Sequence, residues 1–158
     1  MKKIVSIIIA ITFCSVLACA QDPDRGNSKL AIGGGNASVE YGRPAIRGRN
    51  LDALPVGTEW RMGSNGATTL TTDVNLKFGD KVVQKGKYVL TTKRTDETHW
   101  VLIIKTEDLS STSEVPLTFA KVEPAVELLT IELKKNGNGG KFFLQWGAFT
   151  LSTDFNKA

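Results

Sequence analysis

From Thr68 to Phe78 the chain alternates with a period of two. Thr68, Leu70, Thr72, Val74, Leu76 and Phe78 fall on one side, and Thr69, Thr71, Asp73, Asn75 and Lys77 on the other. This split predicts a strand with one buried face. Val82–Val83 adds a short piece before the turn signal Gln84-Lys85-Gly86, and Lys87 to Thr92 reads as a second strand. The run from His99 to Lys105 is the most continuously apolar, as expected of a central strand covered on both faces. Val115 to Val122 predicts a further strand, broken by Pro116 and hence placed at an edge. Val126–Lys134 and Lys141–Ser152 flank Asn136 to Gly140, whose residues tolerate positive φ, so the pair predicts a hairpin. No window carries a sustained helical stripe. The expected fold is all-β: a single antiparallel β-sandwich or jelly-roll-like domain of about seven to nine strands over residues 37–158, after a signal peptide.

Upstream the pattern changes. Lys2-Lys3, an apolar run from Ile4 to Leu17, and the small residues Ala18-Cys19-Ala20 have the order of a secretory signal peptide over residues 1–20. The apolar run is shorter than the roughly 18 residues of a membrane-spanning helix, so export is expected ahead of a membrane anchor. Cleavage before Gln21 would release a soluble product. Val16-Leu17-Ala18-Cys19 resembles a lipobox, in which cleavage before Cys19 would leave that residue lipidated and direct the protein to the outer membrane. The expected locations are therefore the periplasm, the outer membrane or the exterior, with membrane contact only through an N-terminal lipid. Residues 21–36, polar and glycine-rich, read as a flexible tether. Gly33-Gly34-Gly35 lacks the Gly-Lys-Ser/Thr of a phosphate loop.

Composition narrows the chemistry. Both cysteines, Cys14 and Cys19, lie in the targeting segment, which leaves the folded part without a disulfide, a zinc-thiolate site or a cysteine nucleophile. Without Lys2 and Lys3 there remain 18 basic and 16 acidic residues, too even a balance to argue for nucleic acid. His99 is the single histidine, so a histidine-rich metal site is excluded and no catalytic role is assigned to it. No metal ligands or cofactor are predicted, although a calcium ion held by loop oxygens leaves no spacing signature and stays open.

The segment Tyr41–Thr69 stands apart, holding four of the six arginines, Arg43, Arg47, Arg49 and Arg61, among glycines, prolines and Trp60. Arginine clamps carboxylates or phosphates and stacks on aromatic rings. If the chain is extended, Arg47 and Arg49 share a side. With Trp60, Arg61 and Asn65 they form a candidate pocket for an anionic or sugar-like ligand. The other reading is that the arginines pair with Asp52, Glu59 and carbonyls to pin a long loop. Trp60, Trp100, Trp146 and Tyr88 are candidates for a sugar platform, but Trp146 shares a strand face with Phe142, Leu144 and Ala148 and is expected in the core.

The motifs Tyr41-Gly42-Arg43-Pro44-Ala45-Ile46-Arg47-Gly48-Arg49 and Pro55-Val56-Gly57-Thr58-Glu59-Trp60-Arg61-Met62-Gly63-Ser64-Asn65-Gly66-Ala67-Thr68-Thr69, followed by Gly86-Lys87-Tyr88 and Trp100, resemble the bacterial envelope family catalogued as domain of unknown function 2911. The resemblance runs from about Val39 to Thr153 and implies an exported β-rich domain with no established activity. One departure is visible: the family usually carries an acidic residue where this chain has Gly66. The functional expectation is a non-catalytic module that binds a ligand or an envelope protein through the arginine-rich loop. The alternatives are a carboxylate-dependent hydrolase of wall or polysaccharide material, with Asp52 and Glu59 or Asp96 and Glu97 as candidate pairs, and a purely structural envelope protein.

Overall fold

The computed structural model describes residues 24–158; the expected signal peptide, Cys19 and residues 21–23 lie outside the described residues. Ten strands form one antiparallel sheet: β1 (Arg25–Ile32), β2 (Gly35–Gly42), β3 (Glu59–Trp60), β4 (Thr68–Thr72), β5 (Leu76–Phe78), β6 (Lys81–Val83), β7 (Gly86–Arg94), β8 (Trp100–Thr106), β9 (Thr112–Asn136) and β10 (Gly139–Lys157). Their order is β1-β2-β4-β7-β8-β9-β10-β5-β6, with β3 laid against the end of β7. The only helical turn among the described residues is a 3-10 turn at Leu51–Ala53. No helix there is long and apolar enough to cross a membrane.

The sheet becomes sandwich-like because β9 serves two ladders. Through Leu117 it pairs with β8, and from Thr118 onward with β10. The distal part of β9 then lies over β1 and the segment after β2: Leu133 N–H donates to Ser28 Oγ, and Ala45 bridges to Leu128. One hydrophobic core results, with Val39, Leu90, Leu102, Leu129, Ile131, Leu144 and Leu151 almost wholly enclosed. β8 occupies the middle of the order, as its apolar run predicts.

Three expectations are corrected. The tether assigned to 21–36 is, from Arg25 on, the β1–β2 hairpin, closed at Gly33-Gly34 with φ of 59° and 86°, a turn favoured by glycine. The inward positions of β1 are Gly26, Ser28, Leu30 and Ile32, and half of these are not apolar. At Gly26 a Cβ would lie 2.5 Å from the Tyr41 ring, so a residue without a side chain is what the packing admits. The second correction divides the strand expected over 68–78. Thr72 Oγ1 donates to Val74 O and accepts from Val74 N–H, which turns the chain after β4 and sends β5 to pair with β10. This split adds one strand and β1, β2 and β3 add three, while the two strands expected over 115–122 and 126–134 run together as β9, so the seven strands read from the pattern become ten.

Third, Pro116 does not break a strand at the edge of the sheet; it lies inside β9, opposite Val101 of β8. The β10 ladder begins only at Thr118, so β9 has a single neighbour at Pro116 and a residue without an N–H is accommodated there.

Candidate functional site

The chain leaves β2 and runs beside the distal part of β9. Ile46 N–H donates to Glu127 O at 2.8 Å and Leu129 N–H to Pro44 O at 3.0 Å. Pro44 O also accepts from the Trp146 indole N–H at 2.9 Å, and Arg43 Nε reaches Leu129 O at 3.5 Å. The chain is not extended at the next arginines. Arg47 (φ 46°) and Gly48 (φ 70°) form a tight turn closed by Arg49 N–H donating to Ile46 O, and Arg47 N–H is held by the Glu127 carboxylate. Arg47 and Arg49 therefore do not share a side through strand geometry.

Beyond the turn, Asn50 Oδ1 accepts from Asp52 N–H at 2.9 Å and starts the 3-10 turn Leu51–Ala53. Arg94, at the end of β7, holds this wall in place. Its Nη1 donates to Asp52 O at 2.7 Å and Leu54 O at 3.2 Å, while Nε and Nη2 reach Asp96 O and Glu97 O. Loop pinning by arginine to carbonyls is thus present: Arg43 and Arg61 each make one such bond, and Arg94, which the sequence reading passed over, makes those that hold the wall. Asp52 pairs instead with Lys121, and Glu59 with Lys105 and the Thr91 hydroxyl.

The wall faces two indoles. Trp60 stacks on Trp146 with centroids 5.6 Å apart and planes 10° from parallel. The Arg49 guanidinium lies over the Trp146 ring, 6.0 Å from its centroid, at the outer limit for a cation–π contact. Trp146 is almost fully buried and Trp60 half-buried. Between them and the wall runs a groove of about 410 Å³ lined by Arg49, Asn50, Leu51, Ala53, Leu54, Pro55, Trp60 and Trp146. A smaller hollow of about 200 Å³ lies across Arg49–Leu51 and includes Asp52, Lys121 and Phe149.

A bulge aims Trp146 into this place. Register shifts on either side of Gly147 move the inward positions of β10 from Phe142, Leu144 and Trp146 to Phe149, Leu151 and Phe155. Ala148 therefore does not continue the face of Phe142 and Leu144, as the alternation predicted; Phe149 takes the core position. Trp100 packs edge-on against Phe149 in the core, and Tyr88 donates its hydroxyl to Gln84 O, so neither joins the two stacked indoles.

Of the six sequence-predicted site residues, the groove brings together Arg49 and Trp60. Arg43 is spent on Leu129 O. Arg47 is exposed beside Glu127. Arg61 folds back to Gly63 O through Nε at 3.2 Å, and Asn65 offers its carbonyl to Arg25. Among the described residues, the guanidiniums of Arg47 and Arg49 have no hydrogen-bond or ion-pair partner. Where the family resemblance leads one to expect a carboxylate, Gly66 stands close to Arg25, which bonds the carbonyls of Asn65 and Ala67 instead. Of the four non-glycine residues with positive φ among the described residues, Arg47, Met62 and Asn65 lie in this segment, a concentration of strain that only a well-braced loop maintains. Thr68 Oγ1, bonded to Met62 O at 2.9 Å, is one such brace.

Among the described residues, the titratable groups with displaced pKa values all move one way. Glu59 is lowered chiefly by its bonds to Lys105 and Thr91. Asp80 is lowered by Lys81. Asp96 is lowered to about 2 by the Thr98 N–H, the His99 ring and the His99 N–H, and Asp108 to about 2 by the Thr106 and Ser110 hydroxyls. His99 thus meets a carboxylate on an exposed loop, at 2.7 Å. No group of three or more His, Cys, Asp or Glu side chains able to hold a metal ion occurs among the described residues.

The model of the family described as Protein of unknown function (DUF2911) matches residues 24–155. The chain belongs to this family. The match takes in β1 from its first residue, in agreement with the hairpin seen where a tether was expected, and covers every groove residue. No curated protein and no solved structure matches the chain.

Proposed function

We propose that this DUF2911 member is an exported, non-catalytic module that binds a small organic ligand in the groove between the Arg49–Pro55 wall and the Trp60–Trp146 stack. The observation that carries the reading is an arginine with no hydrogen-bond or ion-pair partner among the described residues, set at the rim of a groove with an aromatic floor. Surface arginines are common, but this one is presented by a wall that Arg94 fixes with two hydrogen bonds. The groove falls within the few hundred Å³ usual for small-molecule sites and has their mostly apolar lining with few polar groups. Export rests on the N-terminal sequence: the charged start, apolar run and Ala18-Cys19-Ala20 make a cleavable leader, with Cys19 the residue that would carry a lipid.

The hydrolase alternative draws less support. A general acid in glycoside hydrolysis needs its pKa raised. Asp52 and Glu59 are each engaged by a lysine, and every displaced carboxyl is displaced downward.

A thermal-shift screen of the protein against organic acids, sugars, wall fragments and nucleotides tests the reading, because a ligand selective for the folded state raises the melting midpoint. The expected result is a shift lost in Arg49→Ala or Trp60→Leu and kept in Arg61→Ala. A shift that persists in both groove variants would reject the site.

A further inference from the structure

The groove's polar inventory discriminates among small ligands. Two polar side chains line it, Arg49 and Asn50, and the Asn50 carbonyl oxygen is already taken by Asp52 N–H. Arg49 only donates and Asn50 Oδ1 keeps one lone pair beside the Asp52 N–H, so these side chains offer a ligand mostly donors. Everything else lining the groove is apolar or aromatic: Leu51, Ala53, Leu54, Pro55 and the two indoles, of which Trp146 gives its N–H to Pro44 O and Trp60 adds one more donor. A neutral sugar would bring several hydroxyl donors toward side chains that offer one lone pair, on Asn50, to accept from them, so hydroxyls turned inward would lose water with little replacement. A flat apolar ring loses nothing there and gains contact with Trp60, Leu54 and Pro55. Its polar part must be an acceptor to suit Arg49.

The electrostatics agree. Asp52, the acidic side chain on the wall, is neutralised by Lys121, and Arg94 contacts the back of the same wall through Asp52 O and Leu54 O. Arg49 is then the one charged side chain among the residues lining the groove, which leaves the rim positive. A carboxylate is planar and acceptor-only, and it matches the guanidinium fork through two parallel hydrogen bonds.

We propose that the groove takes a flat, apolar ring of one or two fused cycles bearing a single carboxylate, with the ring against Trp60 and the carboxylate on the guanidinium of Arg49. This rests on the groove reading above and names its ligand class.

Calorimetric titration with 2-naphthoate, 2-naphthylmethanol and glucuronate separates the contributions of ring, charge and hydroxyls. The expected result is saturable one-to-one binding of 2-naphthoate, with the neutral alcohol at least about tenfold weaker and Arg49→Ala weakening naphthoate by a similar factor, the order that losing one charge-assisted contact produces. Arg49→Lys should recover only part, and glucuronate, which has the charge without the apolar ring, should give no saturation over the same range. Arg49 is exposed and makes no hydrogen bond through its guanidinium, so its variants retain the wild-type melting temperature as the check on folding. Equal binding of acid and alcohol, or naphthoate binding indifferent to Arg49, would overturn the carboxylate assignment. If glucuronate binds, or the alcohol binds as tightly as naphthoate, and that binding is lost in Trp60→Leu and ignores Arg49→Ala, the groove stands and the ligand class falls. If no probe binds, or binding survives changes at both Arg49 and Trp60, the class and the groove reading fall together.

Discussion

Removing the Arg94 side chain should loosen the groove wall and the β7–β8 loop at once. The guanidinium makes four hydrogen bonds to main-chain carbonyls, two of them shielded (Asp52 and Leu54) and two exposed (Asp96 and Glu97). A shielded bond from a charged donor contributes about 1.5–3 kcal/mol. Exposed charged contacts contribute a few tenths up to about 1 kcal/mol. The four share one rigid group, so the sum is less than additive, and Arg94→Ala should cost about 3 kcal/mol. At about 3 °C per kcal/mol for a domain of this size, the melting temperature falls by about 10 °C. Arg94→Lys should recover little, since one ammonium on a flexible stem cannot reach carbonyls on two loops. Urea unfolding of the three proteins measures the free energies, and amide exchange at Leu51–Leu54 reports the wall. A loss below about 1 kcal/mol for the alanine variant, or full recovery by lysine, would refute the assignment of Arg94 as the pin.

Other consequences follow from individual contacts. A Cβ on Gly42 would fall 1.9 Å from Ser64 O, a backbone atom that cannot swing aside, so Gly42→Ala should cost about 3 kcal/mol or more in denaturant unfolding. Thr68→Val keeps the shape of a fully buried side chain but leaves Met62 O without its donor, and should cost about 1–3 kcal/mol by the same measurement. Asp96 and Asp108 have folded pKa values lowered from 3.8 to about 2, so their carboxylates add stability that is fully present above about pH 4 and is lost as pH falls through about 2. Stability profiles of Asp96→Asn and Asp108→Asn between pH 2 and 6 should accordingly run flatter at the acid end than wild type. A parallel acid slope would contradict the hydrogen-bond assignments.

The parts of the fold that follow binary alternation were legible in the sequence. Strands β7 and β8 and the β9–β10 hairpin lie where apolar periodicity and the Asn-Gly turn residues put them, because Leu90, Leu102 to Ile104, Leu129, Ile131, Phe142 and Leu144 are buried at strand spacing. β1 was not legible: Gly26 yields its space to Tyr41, and Ser28 spends its hydroxyl on Leu133 N–H, so two inward positions look polar or empty. Nor could the Gly147 bulge be seen, since a glycine among aromatics gives no sign of the register change that keeps Trp146 inward and brings Phe149 in after it. The candidate segment was correctly singled out by its arginine density, yet density does not tell a free guanidinium from an occupied one. Arg43 and Arg61 spend donors on carbonyls and Arg49 spends none, a difference set by β9 and by the local turns. The signal that pointed to Arg94 was weak: an arginine ending a strand, before a loop rich in acceptors.

Three indole N–H groups, those of Trp60, Trp100 and Trp146, report separately on the groove and the core. In a two-dimensional nitrogen–proton spectrum recorded during 2-naphthoate titration, the account predicts saturable movement of the Trp60 and Trp146 signals, with Trp100, packed on Phe149, unmoved. Movement confined to residues outside the groove, or three indoles that ignore every ligand in the panel, would contradict the claim that this groove is the binding site.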